Sequence, residues 1–108
     1  MALDTQGLVN AMVSASQNLG SQLLSQASTY ALPEFTKIAT QIVAIEMHKD
    51  DYTEAGAKAL LDMQVRASVG VIVAMTSLVL LDVQNAINAI LQAVGDMVNK
   101  AIGFTLIA

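Results

Sequence analysis

Cysteine and tryptophan are absent from this chain, and proline occurs once, at Pro33. The lack of cysteine excludes disulfide bonds and any thiolate metal site. Aromatic residues are few, so the apolar content is mostly alanine, leucine, valine, isoleucine and methionine. Alanine, leucine and methionine favour helices. The composition therefore predicts a helical fold, and the absence of cysteine means that this fold has no covalent cross-links.

Positive charge is scarce as well, with five basic residues against nine acidic ones and a net charge of −4. Nucleic-acid binding and attraction to anionic membranes both need clustered positive charge, so we expect neither. The first thirty residues contain no Lys or Arg, so the basic start of a secretory signal is not visible. This favours a cytoplasmic location or an assembled particle and leaves leaderless export open.

Charged residues of either sign make up only 13% of the chain, whereas 55% of the residues are hydrophobic. An average soluble domain has about 25% charged residues. At 108 residues we expect a single domain, and a domain of this size buries only about two thirds of its unfolded surface. Apolar surface that is left over usually marks an interface. We therefore predict that the chain associates with copies of itself.

The few charges are concentrated in the middle of the chain. Ten of the fourteen lie between Glu34 and Arg66. Within this block Glu54, Lys58, Asp62 and Arg66 alternate in sign at four-residue steps, which is the spacing of ion pairs on a helix. This ladder predicts one solvated helical face that ends at Arg66.

The segment from Asp4 to about Ala31 is predicted to be an amphipathic helix, because Asp4 can cap it and apolar residues follow at steps of three or four. On its polar side Ser14, Ser21 and Ser28 recur every seven residues. This side is either a solvated face or a second packing face between subunits. We include the three serines in a candidate oligomer interface.

Pro33 predicts a turn and the start of a new helix, since it restrains the residue before it and suits a first helical turn. Apolar residues at helical spacing follow it, namely Phe35, Ile38, Ile42 and Ile45. The stretch from His48 to Thr53 has two interpretations. The helix either stops there and restarts with Asp51 as a cap, or it continues without a break.

The segment Ala67–Leu81 contains no charged residue. As a helix it would be about 22 Å long, which is short for a bilayer core of about 30 Å. A helix that is apolar on all sides otherwise lies at the centre of a bundle or an oligomer. We therefore expect a buried helix, with membrane insertion as the alternative, and place Val71, Met75 and Leu78 in the candidate interface.

Amphipathic character returns between Val83 and Ala101, where one side is apolar and the other is rich in amides. We assign Asn85, Asn88 and Gln92 on the amide side to the candidate interface. Asp82 interrupts apolar sequence, so it should lie at an edge of the bundle or pair with Lys100 or Arg66 at a subunit contact. The apolar tail, Phe104–Ala108, is expected to dock on the bundle or on a neighbour.

Residues that could carry chemistry do not form a recognisable set. His48 is the only histidine, and a helix would direct it away from Glu46, whereas a metal site needs several converging ligands. No glycine-rich phosphate loop and no Ser/His/Asp arrangement is present. We predict that the chain is not an enzyme and has no metal, cofactor or small-molecule substrate.

The sequence thus predicts an all-α fold, a helical hairpin or small helical bundle completed by oligomerisation. The favoured function is a non-enzymatic structural subunit that assembles into a closed oligomer, a filament or a particle. In composition alone the chain resembles the small, cysteine-free subunits of bacterial inclusions and phage assemblies. The alternatives are a membrane-active protein of the holin-like or pore-forming kind, and an adaptor whose groove receives a helix of another protein.

Overall fold

The computed structural model describes residues 3–20 and 23–108, with only the backbone described at position 24. In these ranges the chain forms four α-helices: α1 (Thr5–Asn18), α2 (Leu23–Met47), α3 (Glu54–Met75) and α4 (Leu80–Ile102). A short 3-10 turn, Lys49–Asp51, joins α2 to α3, and no strand occurs in the described part of the chain. The prediction of an all-α fold is confirmed.

The helices run up and down in a bundle, each packed against its neighbours in the chain, with α4 also packed against α1. The backbone N–H of Leu3 donates to Oε1 of Glu46 at 2.9 Å, so α1 begins where α2 ends. Leu3 also lines a groove together with Lys100, so α1 begins beside the end of α4. Consecutive helices are therefore antiparallel, and α1 closes the bundle against α4.

The core is made by one apolar face from each helix. Its largest fully buried side chains are Phe35, Leu8, Met12, Ile38, Ile42, Ile45, Ile72, Ile87, Ile90, Ile102, Val83 and Val98. The apolar stripes predicted for the middle of α2 and for α4 are thus the buried ones. Their burial against the other helices stabilises elements that would be marginal in isolation.

The first helix is shorter than the sequence pattern predicts, since α1 ends at Asn18 and not near Ala31. The chain leaves the helix at Gly20, whose φ of 68° is in the left-handed region. Glycine enters that region without the steric penalty that other residues incur. The predicted helix is therefore two elements, α1 and the first part of α2.

The predicted turn at Pro33 is wrong, because Pro33 lies inside α2. The interruption of α2 comes earlier, at Ala27, where φ is −145° and ψ is 30°. Pro33 therefore falls early in the helical segment that follows this kink. It is the sixth residue after Ala27, beyond the first four amides that lack an intrahelical acceptor, so it removes one helical hydrogen bond.

The two interpretations of residues 48–53 are decided in favour of a break. The 3-10 turn Lys49–Asp51 ends α2, and α3 restarts with Thr53 as its N-cap. The Oγ1 of Thr53 accepts a hydrogen bond from the N–H of Gly56 at 2.9 Å. The predicted cap, Asp51, instead lies 3.6 Å from Nδ1 of His48.

The segment Ala67–Leu81 is not one buried helix, because α3 ends at Met75 and the chain turns before α4. The hydroxyl of Thr76 donates to the carbonyl of Ile72 at 2.7 Å and accepts from the N–H of Leu78 at 3.2 Å. A threonine hydroxyl that bonds to nearby backbone in this way competes with helix continuation. Thr76 is the C-cap of α3, and its two hydrogen bonds accompany a turn that contains neither glycine nor proline.

The C-terminal tail docks on the bundle, as expected. Gly103 turns the chain with a φ of 95°, and Leu106 and Ile107 are buried. Asn99 holds this segment: its Nδ2 donates to the carbonyl of Ile107 at 2.8 Å, and its Oδ1 accepts from the N–H groups of Leu106 and Ile107 at 2.8 and 2.9 Å. A single side chain therefore fixes the tail.

Ser16 gives a stability prediction, because its Oγ is buried without a hydrogen-bond partner in the described part of the chain. An unpaired buried hydroxyl costs about 1–3 kcal/mol. Ser16→Ala should therefore raise the free energy of unfolding by about 1 kcal/mol in urea titrations followed by circular dichroism. Ser14→Ala, at an exposed position of α1, is the control for helix propensity. Equal gains in the two variants would contradict the assignment.

Candidate assembly surface

The outer face of α3 is apolar although it faces solvent. It consists of exposed residues at helical spacing, Met63, Ala67, Gly70, Val71, Ala74 and Met75, here called the α3 stripe. The stripe lies opposite the buried face of α3, which includes Leu61, Val65 and Ile72. A Cβ added at Gly70 would meet nothing within 4 Å. One apolar face of α3 is thus covered by the bundle and the other is open.

The turn after α3 continues this open apolar surface. Val79, Leu80 and Leu81 are 61%, 56% and 62% exposed, and Leu78 is half-buried. We call Leu78–Leu81 the hairpin tip. No charged residue lies between Arg66 and Asp82. From Ala67 onward, the α3 stripe and the hairpin tip therefore contain only uncharged residues.

The hairpin tip is uncovered because α1 is short. Helix α1 has 14 residues and α4 has 23. At about 1.5 Å per residue, α1 is therefore about 21 Å long and α4 about 35 Å. Since α1 begins beside the C-terminal end of α4, the N-terminal part of α4 extends beyond the last residue of α1. The expectation of a buried helix is wrong in this chain, because the outer face of α3 and the hairpin tip are both exposed.

Several residues of the predicted interface are brought together at this end. Val71 and Met75 lie on the α3 stripe, Leu78 belongs to the hairpin tip, and Asp82 follows in the first turn of α4. Asp82 is exposed, which corresponds to the predicted edge location. A carboxylate in a first helical turn also complements the helix dipole.

The amide residues of the predicted interface, Asn85, Asn88 and Gln92, are exposed along the outer side of α4. Asn88 and Gln92 line a cleft of about 380 Å³ that also includes Asp62 and Ile107. They therefore lie beside α3 and the docked tail. Asn85 alone of the three is within one helical turn of Asp82.

Of the three serines spaced by seven residues, the structure describes Ser14 and Ser28. Ser14 lies on α1, beside Ala93 of α4, and Ser28 is exposed on α2. Ser21 lies outside the described residues. A seven-residue spacing places side chains on one face only within a continuous helix. The chain turns at Gly20, so the spacing does not align Ser14 with Ser28. Ser14 and Ser28 therefore lie on different helices.

The charge ladder flanks the α3 stripe. Its four residues are exposed, and within the described residues only Asp62 and Arg66 form an ion pair, with 3.0 Å between Oδ2 and Nε. An exposed pair of this kind contributes little to stability. The four charged side chains instead keep one side of α3 in contact with solvent, and the apolar surface of the α3 stripe ends beside them.

A second open surface is the groove between α1 and α4. Its main part has a volume of about 590 Å³ and is lined by Leu3, Gly7, Leu8, Met97 and Lys100, among others. A smaller part of about 380 Å³ continues along α1 and shares Met97. Sequence reasoning missed this groove, because it is made by helices from opposite ends of the chain.

The described residues contain no group of three or more metal-ligating side chains arranged to hold an ion. His48 has one acidic neighbour, Asp51, and both side chains are exposed. The features that distinguish this molecule are therefore its apolar surfaces.

Comparison with models of protein families, with curated protein sequences and with solved structures finds no match to this chain. In the described ranges no helix has both the length and the hydropathy needed to cross a membrane. A functional proposal must therefore come from the surfaces themselves.

Proposed function

We propose that this protein is a non-enzymatic structural subunit that assembles with copies of itself through the α3 stripe and the hairpin tip. The observation that carries the proposal is the concentration of exposed apolar side chains in one uncharged region. Half of the large apolar residues that are exposed in the described part of the chain lie between Val71 and Leu81. Contiguous apolar surface of this kind marks an interaction site.

The side chains of the α3 stripe suit contact with another helix. Gly70 and Ala74 are one helical turn apart, and small residues at this spacing allow the backbones of two helices to approach closely. Met63 and Met75 are 66% and 53% exposed, and their flexible side chains adapt to an irregular partner surface. Charged residues are depleted at the centres of protein interfaces, as they are here.

Ala74→Lys tests this proposal. A lysine at the centre of the stripe should lower the apparent mass in light scattering to that of a monomer at micromolar concentration, because the interface would have to bury a charge. The substitution should not weaken α3 itself, since a cation near a helix C-terminus is favourable. Loss of assembly would therefore report the interface and not unfolding, which circular dichroism would verify.

Ala55→Lys is the matched control, because Ala55 is exposed on the same helix outside the stripe. It should assemble as the wild-type chain does in a dilution series with negative-stain imaging. A wild-type chain that is monomeric throughout the series would refute self-assembly. An Ala74→Lys variant that assembles like the wild type would refute the role of the stripe.

A further inference from the structure

The C-terminal tail, residues 104–108, seats two apolar side chains in a groove between α3 and α4, here called the tail groove. Leu106 and Ile107 line this groove and are only 5% and 9% exposed. Leu61 of α3 and Leu91 of α4 line it as well, and both are buried. The structure therefore shows a binding groove together with the segment that fits it.

The tail groove holds the tail by its main chain and by shape. Asn99 makes three hydrogen bonds, all to backbone groups of Leu106 and Ile107. Gly95 provides the space for Ile107, because a Cβ at position 95 would lie only 3.3 Å from Cγ2 of Ile107. Main-chain hydrogen bonds and fitted apolar contacts are the features of a site for a short apolar peptide segment.

The tail is joined to the bundle only through Gly103, which ends α4 with a φ of 95°. Five extended residues span at most about 17 Å, so a released tail reaches a groove on an adjacent copy. The tail groove lies beside the proposed assembly surface, since Asp62 lines the groove and Met63 belongs to the α3 stripe. A copy bound to the stripe is therefore close to the groove.

We propose that copies bound through the α3 stripe exchange their C-terminal tails, so that residues 104–108 of one copy fill the tail groove of its neighbour. This inference rests on the proposed self-assembly and adds a second contact to it. The exchanged tail forms the same hydrogen bonds and apolar contacts as a tail docked on its own bundle, so only the connection at Gly103 differs.

Exchange of an identical element in this way is a low-cost route to association. Two copies that are already joined through the stripe have lost most of the translational and rotational freedom that binding costs. A neighbour's tail is then present at high effective concentration. Tail exchange therefore follows stripe contact and strengthens it.

Cross-linking tests the exchange directly, because the chain has no cysteine of its own. Gln92 and Ala108 are exposed and both line the tail groove. Gln92→Cys and Ala108→Cys, prepared as separate full-length variants, are mixed in equal amounts and treated with a short bismaleimide. A tail on its own bundle meets no second thiol, whereas an exchanged tail should give a 92–108 heterodimer, identified by mass spectrometry of the linked peptides.

Ser28→Cys replaces Gln92→Cys in the matched control, because Ser28 is exposed on α2 and is not part of the tail groove. Its mixture with Ala108→Cys should give at least tenfold less heterodimer. Gly95→Val, added to the Gln92→Cys variant, should lower the 92–108 yield to a similar extent, since its side chain fills the space that Ile107 needs. An excess of a synthetic peptide of residues 104–108 should also lower the yield, without any change to the bundle.

The outcomes separate this inference from the proposed function. A wild-type chain that is monomeric throughout a dilution series would refute both. Wild-type assembly without the 92–108 heterodimer would refute tail exchange and leave self-assembly through the stripe standing. A heterodimer that forms equally in the Ser28 control, or that neither Gly95→Val nor the peptide reduces, would also refute tail exchange.

Discussion

Asn99→Ala is expected to lower the free energy of unfolding by about 2–4 kcal/mol and to release the C-terminal tail. The side chain of Asn99 makes three hydrogen bonds to the backbone of Leu106 and Ile107, and each contributes about 0.5–1.5 kcal/mol net. Release of the tail would also expose two buried apolar side chains. Urea unfolding at one fixed protein concentration, followed by circular dichroism, measures the loss.

Truncation after Gly103 shows whether the loss comes from the tail. If Asn99 acts by holding this segment, Asn99→Ala should add little to the truncation, because the two changes remove the same interaction. Asn88→Ala, at an exposed position on the same helix, should change stability by less than about 0.5 kcal/mol. Additive losses for truncation and Asn99→Ala would contradict the assigned role.

Phe35→Ala is expected to have the largest effect among alanine substitutions in the core, a loss of about 3–5 kcal/mol in the free energy of unfolding. Phe35 is fully buried and is the largest such side chain in the described core. Its truncation removes apolar contacts and leaves a cavity that neighbouring helices fill only partly. Thermal and urea unfolding should both show the loss.

Leu32→Ala on the same helix is the matched control, since Leu32 is 40% exposed. It should cost about 1–2 kcal/mol, because Leu32 is only partly buried. Equal losses at positions 32 and 35 would show that α2 faces the core differently. The comparison therefore tests the orientation of the longest helix.

Helical periodicity was sufficient to predict which residues form the core of α2 and α4. Ile38, Ile42 and Ile45 repeat at three or four residues, and all three are fully buried. The same is true of Ile87 and Ile90 in α4. Where apolar residues repeat with a helical period and no competing signal, the pattern determines both the element and its buried face.

The ends of the helices could not be predicted as well. The apolar repeat passes through Leu19 and Leu23 without a gap, although the chain turns at Gly20 between them. At Thr76 the helix stops with extended backbone, and the apolar residues on both sides of it do not reveal this stop. The ends of α1 and α3 depend on local backbone conformation, which the continuous hydrophobic repeat does not reveal.

The exposed surfaces were predictable only in part. The absence of charge from Ala67 to Leu81 is visible in the sequence, but which of its residues are covered depends on where α3 ends and on which face of α3 packs against the bundle. The groove beside Lys100 depends on contact between the first and last helices. Both features are tertiary, so no local pattern could have located them.

The closing contact between α1 and α4 has a consequence for biosynthesis. A chain emerging from the ribosome forms α1, α2 and α3 before α4 is available, and the groove does not exist until α4 packs against α1. Until α4 packs, the apolar residues of α1, α2 and α3 that it contacts stay uncovered. A chain that stops before α4 should therefore expose additional apolar surface and be prone to aggregate.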